Sequence, residues 1–127
     1  MKFLFNTKTK KFDYVLKLHT KKNDPRWDSL WRALNFQHLA GNSELIFNNI
    51  SFLQKNPGVN MLGSSTFYKS AKKFMYLNYN SVNRFLNYLN KDDLDLTSDW
   101  GFFAGTMFWA RPEIFDPLID YISRFNL

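Results

Sequence analysis

One segment near the start, residues 13–22 (DYVLKLHTKK), most constrains what this chain can fold into. An apolar run from Tyr14 to Leu18, interrupted only by Lys17, stops abruptly at the polar residues His19 to Lys22. This pattern is typical of a buried strand whose carboxyl end delivers polar groups to the surface. Open α/β sheets bind ligands at the carboxyl ends of their strands. The segment therefore predicts a strand that ends in a ligand site.

The two faces of this strand are predicted to differ in function. Because strand side chains alternate, Lys17, His19 and, if the strand extends that far, Lys21 are expected on one face. Leu16 and Leu18 are expected on the other face. We expect the leucine face to pack in the core and the basic face to carry the chemistry.

The rest of the chain alternates between helical and strand-like patterns. Apolar spacing and capping residues predict helices over Asp24 to Gly41, Ser43 to Asn56, Ser81 to Leu89 and Pro112 to Ile122. Strands are predicted over Lys2 to Phe5, Val59 to Leu62 and Gly101 to Trp109, with a partly helical loop over Thr66 to Asn80. Pro117 predicts a kink or a late start in the last helix. This alternation predicts a Rossmann-like layered α/β fold with a mostly parallel sheet flanked by helices.

Length and charge limit the classes of function. At 127 residues the chain is expected to form one domain at most. It has no cysteine for a disulfide or a thiolate metal site, and no apolar run approaches the ~18 residues typical of a membrane span, so we expect a cytoplasmic protein. The net charge of +6 favours a partner with phosphates, whether nucleic acid, nucleotide or membrane headgroup.

Several residues outside the first strand are candidates for chemistry. In the acidic segment before Gly101, Asp99 and then Asp95 could serve as a general base, or the segment could be a solvated loop or helix cap. Gly105 and Thr106 are expected to let substrate or backbone approach closely. Arg111 could clamp a phosphate or pair with Glu113. His38 is expected on a helix surface, and Trp31 and Trp109 either pack in the core or stack on sugar rings.

Six motifs follow one another in a recognisable order. They are KLHTKK at Lys17 to Lys22, Trp31-Arg32, Leu39-Ala-Gly41, Asn56-Pro57, Met61-Leu62-Gly63 and the block FAGTMFWARPE at Phe103 to Glu113. Together they resemble the rhamnan synthesis protein F family, found in bacterial gene clusters for rhamnose-containing cell-wall polysaccharide and lipopolysaccharide. The resemblance covers about residues 13–118.

The resemblance implies a GT-A-like glycosyltransferase domain. Such a domain takes a nucleotide-sugar donor and a growing glycan acceptor, with other polysaccharide-assembly proteins at the membrane as further partners. Family members carry an upstream α/β half with an Asn-rich and Arg-Asp-containing motif near the nucleotide, and nothing before Asp13 matches it. We therefore expect residues 1–127 to be a truncated domain, incomplete as an enzyme. Attachment to the inner face of the cell membrane would come through partners or the basic surface.

The resemblance also implies how the site works. Many GT-A enzymes hold a metal with Asp-x-Asp at a strand end, where this chain has His19-Thr20-Lys21. We expect His19 and Lys21 to neutralise the leaving diphosphate in place of a metal, so that no cofactor is needed. Asp99 and His19 are then the catalytic candidates. The substrate and phosphate ligands would be Lys17, Lys21, Gly105, Thr106 and Arg111.

Two other functions stay open at this stage. The chain could be a non-catalytic fragment or a scaffold remnant of such a protein, because the upstream half is missing. It could also be a basic nucleic-acid-binding module, since lysines alternate with aromatic residues over Lys69 to Tyr79. The acidic segment and the lack of a known nucleic-acid motif count against that module, so no nucleic-acid partner is expected.

Overall fold

The computed structural model of the chain describes residues 12–19, 28–91 and 100–125. The helices are α1 (Asp28–Ala40), α2 (Ser43–Lys55), α3 (Ala71–Phe74), α4 (Tyr79–Tyr88) and α5 (Asp116–Phe125). The strands are β1 (Val15–Lys17), β2 (Met61–Leu62), β3 (Tyr68–Ser70), β4 (Gly101–Phe103) and β5 (Phe108–Ala110). Short 3-10 turns cover Ser65–Phe67, Tyr76–Asn78 and Pro112–Phe115. The fold is therefore mixed α/β, and the strand predicted within residues 13–22 is confirmed as β1.

The main sheet has three strands in the order β1-β5-β2. Both outer strands pair with β5 in antiparallel fashion, with Leu16 and Leu62 each opposite Trp109. The predicted mostly parallel sheet is therefore wrong. Because β1 and β2 are both antiparallel to β5, they run in the same direction, but β5 lies between them and makes the ladder hydrogen bonds to both. Residue periodicity predicts that a segment is extended, whereas its direction depends on its partners.

A second sheet pairs β3 with β4, also antiparallel, with Lys69 opposite Phe102. Two predictions are corrected here. The stretch predicted as a partly helical loop over Thr66 to Asn80 does contain helix, in α3 and the start of α4, but it also contains the strand β3, which was not predicted. The strand predicted over Gly101 to Trp109 is two strands, β4 and β5, separated by a turn in which Gly105 and Thr106 have φ values of 80° and 56°. Left-handed backbone at these residues ends the extended conformation.

The core lies between the three-stranded sheet and the helix pair α1 and α2. Its buried residues are Leu39, Leu53, Met107 and Trp109, with Leu16, Trp31, Ile46 and Ile50 among those packed against them. Trp109 Nε1 donates to the Leu39 carbonyl at 2.9 Å, so the indole is part of the core and no sugar-stacking surface. Phe47 of α2 lies outside this core and is 69% exposed.

The helix boundaries follow local capping chemistry. The Asn42 side chain accepts a hydrogen bond from the Leu45 amide at 2.8 Å, so α2 begins one residue after the asparagine cap. A 3-10 turn precedes α5, and Pro117 is the second residue of that helix. Proline is tolerated in the first helical turn, so the late start predicted for this helix is confirmed.

No helix among residues 12–19, 28–91 and 100–125 is long and apolar enough to cross a membrane.

Some sequence-based predictions lie outside these described residues. They are the strand at Lys2 to Phe5, the helix start at Asp24-Pro25, the phosphate ligand Lys21, and the general-base candidates Asp95 and Asp99.

Candidate functional site

The carboxyl ends of β1 and β2 meet the amino end of β5 at one edge of the main sheet. Lys17 lies opposite Phe108 at this edge, and Gly63 directly follows β2. We call this region, formed by Lys17 to His19, Gly63-Ser64 and Gly105-Thr106, the carboxyl edge. Since β1 and β2 run in the same direction, their ends offer the kind of crevice in which α/β proteins bind ligands.

Lys17 holds the turn that leads into β5. Its Nζ donates to the Thr106 carbonyl at 3.0 Å and to the Thr106 Oγ1 at 2.8 Å, and it lies 5.9 Å from the centroid of the Phe108 ring. Thr106 is β-branched yet has a φ of 56°, which is a rare and strained conformation. Burial lowers the pKa of Lys17 below its ordinary value. The hydrogen bonds of the Lys17 ammonium are thus made to Thr106, within the protein's own strained turn.

The sequence predicts that substrate or backbone approaches Gly105 closely. In the structure, a side chain of the protein makes this approach. With a φ of 80°, it adopts backbone that favours glycine, and a Cβ at this position would collide with the ring of Trp31. Trp31 in turn meets Phe67 edge to face, with ring centroids 5.6 Å apart. The lack of a side chain at Gly105 therefore lets Trp31 of α1 pack directly against the turn before β5.

The structure reveals a polar pair at this edge that sequence reasoning missed. His38 Nδ1 lies 2.7 Å from the Oγ of Ser64, the second residue after β2, and the His38 and Phe67 rings are 6.2 Å apart. His38 is exposed on α1, as predicted for a helix surface. The only hint of this pair in the sequence was that Gly63 and Ser64 follow a predicted strand. No local spacing in the sequence links these two residues to a histidine on another element.

Arg111 lies at the opposite edge, beyond the carboxyl end of β5. Its guanidinium donates to the backbone carbonyls of Leu53, Val59 and Asn56, with Nε to the Val59 oxygen at 3.1 Å. Its Cζ also lies 5.5 Å from the centroid of the Tyr14 ring. These contacts connect the carboxyl end of α2 to the sheet.

A shallow depression of about 180 Å³ lies beside Arg111, at the edge away from Lys17. Its lining is Phe12, Asp13, Tyr14, Gln54, Arg111 and Glu113. The two carboxylates beside one guanidinium make this depression a poor receptor for a phosphate, since like charges repel.

The predicted site residues therefore divide between the two edges. Lys17 contacts Thr106 beside Gly105 at the carboxyl edge, and His19 follows the end of β1 by two residues, whereas Arg111 lies at the other edge. Lys21 and Asp99 lie outside the described residues. Within residues 12–19, 28–91 and 100–125, no group of three or more His, Cys, Asp or Glu side chains could hold a metal ion.

Comparison with known proteins adds no relative. No family model, curated protein or solved structure matches this chain. Its motifs and the geometry of the carboxyl edge are therefore the basis for a functional proposal.

Proposed function

We propose that this chain is a glycosyltransferase-type domain that acts in the biosynthesis of rhamnose-containing surface polysaccharide or lipopolysaccharide. It would transfer a sugar from a nucleotide-sugar donor to a growing glycan. The observation that carries the proposal is the contact of Lys17, two residues before His19, with Thr106 of the Gly105-Thr106 turn at the carboxyl edge. These residues come from the first and last motifs of the family resemblance, which are 86 residues apart when counted from Lys17 to Phe103 (103 minus 17).

The proposed chemistry assigns separate tasks to the candidate residues. His19 and Lys21 neutralise the diphosphate as it leaves the donor sugar, and this charge stabilisation lowers the barrier to transfer. Asp99 accepts the proton of the acceptor hydroxyl. Lys17 is a positioning residue, because its ammonium already binds Thr106 and holds the turn beside the donor. Arg111 supports the fold at the other edge and takes no part in binding the donor.

The proposed fold assignment is GT-A-like. Strands β1 and β2 run in the same direction, and the helices α1 and α2 connect them along the chain, which supports this assignment. The antiparallel β5 between the two strands does not support it. The proposed location is the cytoplasmic side of the cell membrane, with other polysaccharide-assembly proteins as partners. The net charge of +6 supports attraction to the anionic lipids of that leaflet.

Donor binding is tested by thermal unfolding of the chain with a panel of nucleoside-diphosphate sugars. A ligand that binds only the folded state at ~100 times its dissociation constant adds ~2.7 kcal/mol of stability. We expect one nucleotide to raise the unfolding temperature of the wild-type chain and to raise that of His19→Gln less. Arg84→Gln, on the exposed side of α4, should respond as the wild type does. If every donor leaves a well-folded wild-type chain unchanged, donor binding is contradicted and a non-catalytic scaffold remnant becomes the better account.

A second candidate function, binding of single-stranded nucleic acid, is favoured by the surface around β3. Tyr68 is 51% exposed, Phe102 is exposed beside Lys69, and Lys72 and Lys73 extend the basic charge on α3. Exposed rings among lysines can stack bases and follow a phosphate backbone. Tight binding of random single-stranded DNA with a steep salt dependence would favour this function over sugar transfer.

A further inference from the structure

We propose that Ser64 and His38 form a nucleophile–base pair that reacts with acyl electrophiles, a reactivity separate from sugar transfer. The Ser64 Oγ and the His38 Nδ1 are 2.7 Å apart. That distance lies within the range found for activated serine–histidine pairs. The two residues come from different elements, α1 and the turn after β2, so the fold and not local sequence brings them together.

The direction of this hydrogen bond follows from burial. Ser64 is only 7% exposed, and its side chain does not cap the 3-10 turn that it precedes. Among the described residues, His38 is the partner found for its hydroxyl. A buried donor without an acceptor costs about 1–3 kcal/mol, whereas the exposed imidazole of His38 can satisfy its second nitrogen with water. Ser64 therefore donates to Nδ1, and the ring proton of His38 resides on Nε2.

This tautomer gives each residue a chemical role. The unprotonated Nδ1 of His38 is a base in contact with the hydroxyl proton of Ser64, which is the arrangement that activates a serine. The buried ring of Phe67 packs 6.2 Å from the imidazole and at 36° to it, which holds the ring in place. The aromatic ring beside the pair is that of Phe67, and a small ester with a short apolar acyl group is the substrate class that we propose.

The reaction is an acyl transfer in two steps. In the first step Ser64 Oγ attacks the carbonyl carbon of an ester while Nδ1 of His38 takes the hydroxyl proton. The carbon–oxygen bond of the leaving alcohol then breaks, and His38 returns the proton to that oxygen. In the second step water attacks the acyl-serine, gives its proton to His38 and releases the acid, and Ser64 recovers its hydroxyl.

The pair is tested with an alkyl fluorophosphonate, which phosphonylates activated serines with loss of fluoride. Intact mass and peptide mapping of the treated wild-type chain should show one added phosphonyl group, on Ser64. Ser64→Ala should remove that label. His38→Gln, which lacks a base of comparable strength, should slow labelling by about 10²-fold. Ser65→Ala, a change at the exposed neighbouring serine, should leave the rate unchanged.

A wild-type chain that takes up no label, or a Ser64→Ala chain that labels as fast as the wild type, would overturn the proposal. A separate measurement covers the case in which the variants do not fold. The ¹⁵N chemical shifts of the His38 ring in the wild-type chain should report the proton on Nε2, and a proton on Nδ1 would equally overturn it. Neither measurement uses a nucleotide sugar, so both outcomes are independent of the proposed transferase function.

Discussion

Three glycines each lie against the face or edge of an aromatic ring. The pairs are Gly63 with Phe103, Gly101 with Tyr68, and Gly105 with Trp31. In each pair a Cβ on the glycine would overlap the ring, so the missing side chain makes room for a close backbone–ring contact. These three glycines therefore allow close packing against aromatic rings from other parts of the chain, and Gly105 additionally requires left-handed backbone.

Replacement of Gly105 by alanine is expected to destabilise the fold strongly. The new Cβ would occupy the position of the Trp31 ring, and an L-residue at a φ of 80° is strained. We expect a loss of about 2–4 kcal/mol in the free energy of unfolding, measured by urea denaturation. Gly58→Ala is the matched control, because nothing lies within 4 Å of a Cβ there, and it should change stability by less than about 1 kcal/mol. Equal effects of the two substitutions would contradict this account.

Lys17 makes stability depend on pH in a defined direction. Because burial lowers its pKa, the folded chain binds fewer protons at Lys17 than the unfolded chain does between that lowered pKa and 10.5. The contribution of Lys17 to the free energy of unfolding is therefore fully present above pH 10.5, and it is lost as the pH falls through the lowered pKa. Relative to Lys17→Met, the wild type should gain stability as the pH rises through this interval. Urea denaturation of both proteins near neutral pH and above pH 10.5 measures the difference, and a difference that stays constant or falls would contradict the assignment.

At the scale of elements, the end of α2 is held by side chains from within and outside the helix. Asn56 donates from its backbone and its side chain to the Phe52 carbonyl, at 3.1 and 2.7 Å. Arg111 adds its bonds to the carbonyls of Leu53 and Asn56 from the end of β5. The last carbonyls of a helix lack partners within it, so these donors join α2 to the sheet.

Arg111→Lys is expected to weaken this junction although it keeps the charge. An ammonium cannot reproduce the fork of donors that reaches three carbonyls, and the unpaired groups cost about 1–3 kcal/mol in total. Hydrogen exchange should speed up at the end of α2 and at Val59. Arg84→Lys, on the exposed face of α4, is the control and should leave both stability and exchange within error. Unchanged exchange in Arg111→Lys would show that Arg111 does not hold the junction.

The elements that sequence reasoning predicted well are those with clear apolar periodicity. The described part of α1, α2 and α4 agrees with the predicted helices, since a stripe of apolar residues suffices to define each one. The break between β4 and β5 was missed because it depends on the positive φ of Gly105 and Thr106, which the Trp31 and Lys17 contacts impose. Strand direction was missed because it is set by partners distant in the chain.

At the scale of the whole molecule, the two ends of the main sheet carry different candidate residues. At the carboxyl edge Lys17 contacts Thr106 beside Gly105, and His19 follows β1; sequence reasoning assigned these residues to one site, although it placed Gly105 and Thr106 inside a strand. Arg111 was predicted to join them, but β5 runs antiparallel and carries it to the other edge. The contact of Ser64 with His38 was not predictable, since it depends on how α1 packs beside the end of β2.

The most direct test of the central claim is a titration of the ¹⁵N-labelled chain with the nucleoside-diphosphate sugar that stabilises it most, followed by amide chemical shifts. The claim predicts changes concentrated at the carboxyl edge, at His19, Gly63 and Gly105. The amides of Val59 and Arg111, at the opposite edge, serve as internal controls and should move little. Changes centred on the opposite edge, or none at saturating donor, would contradict the assignment of the carboxyl edge as the donor site.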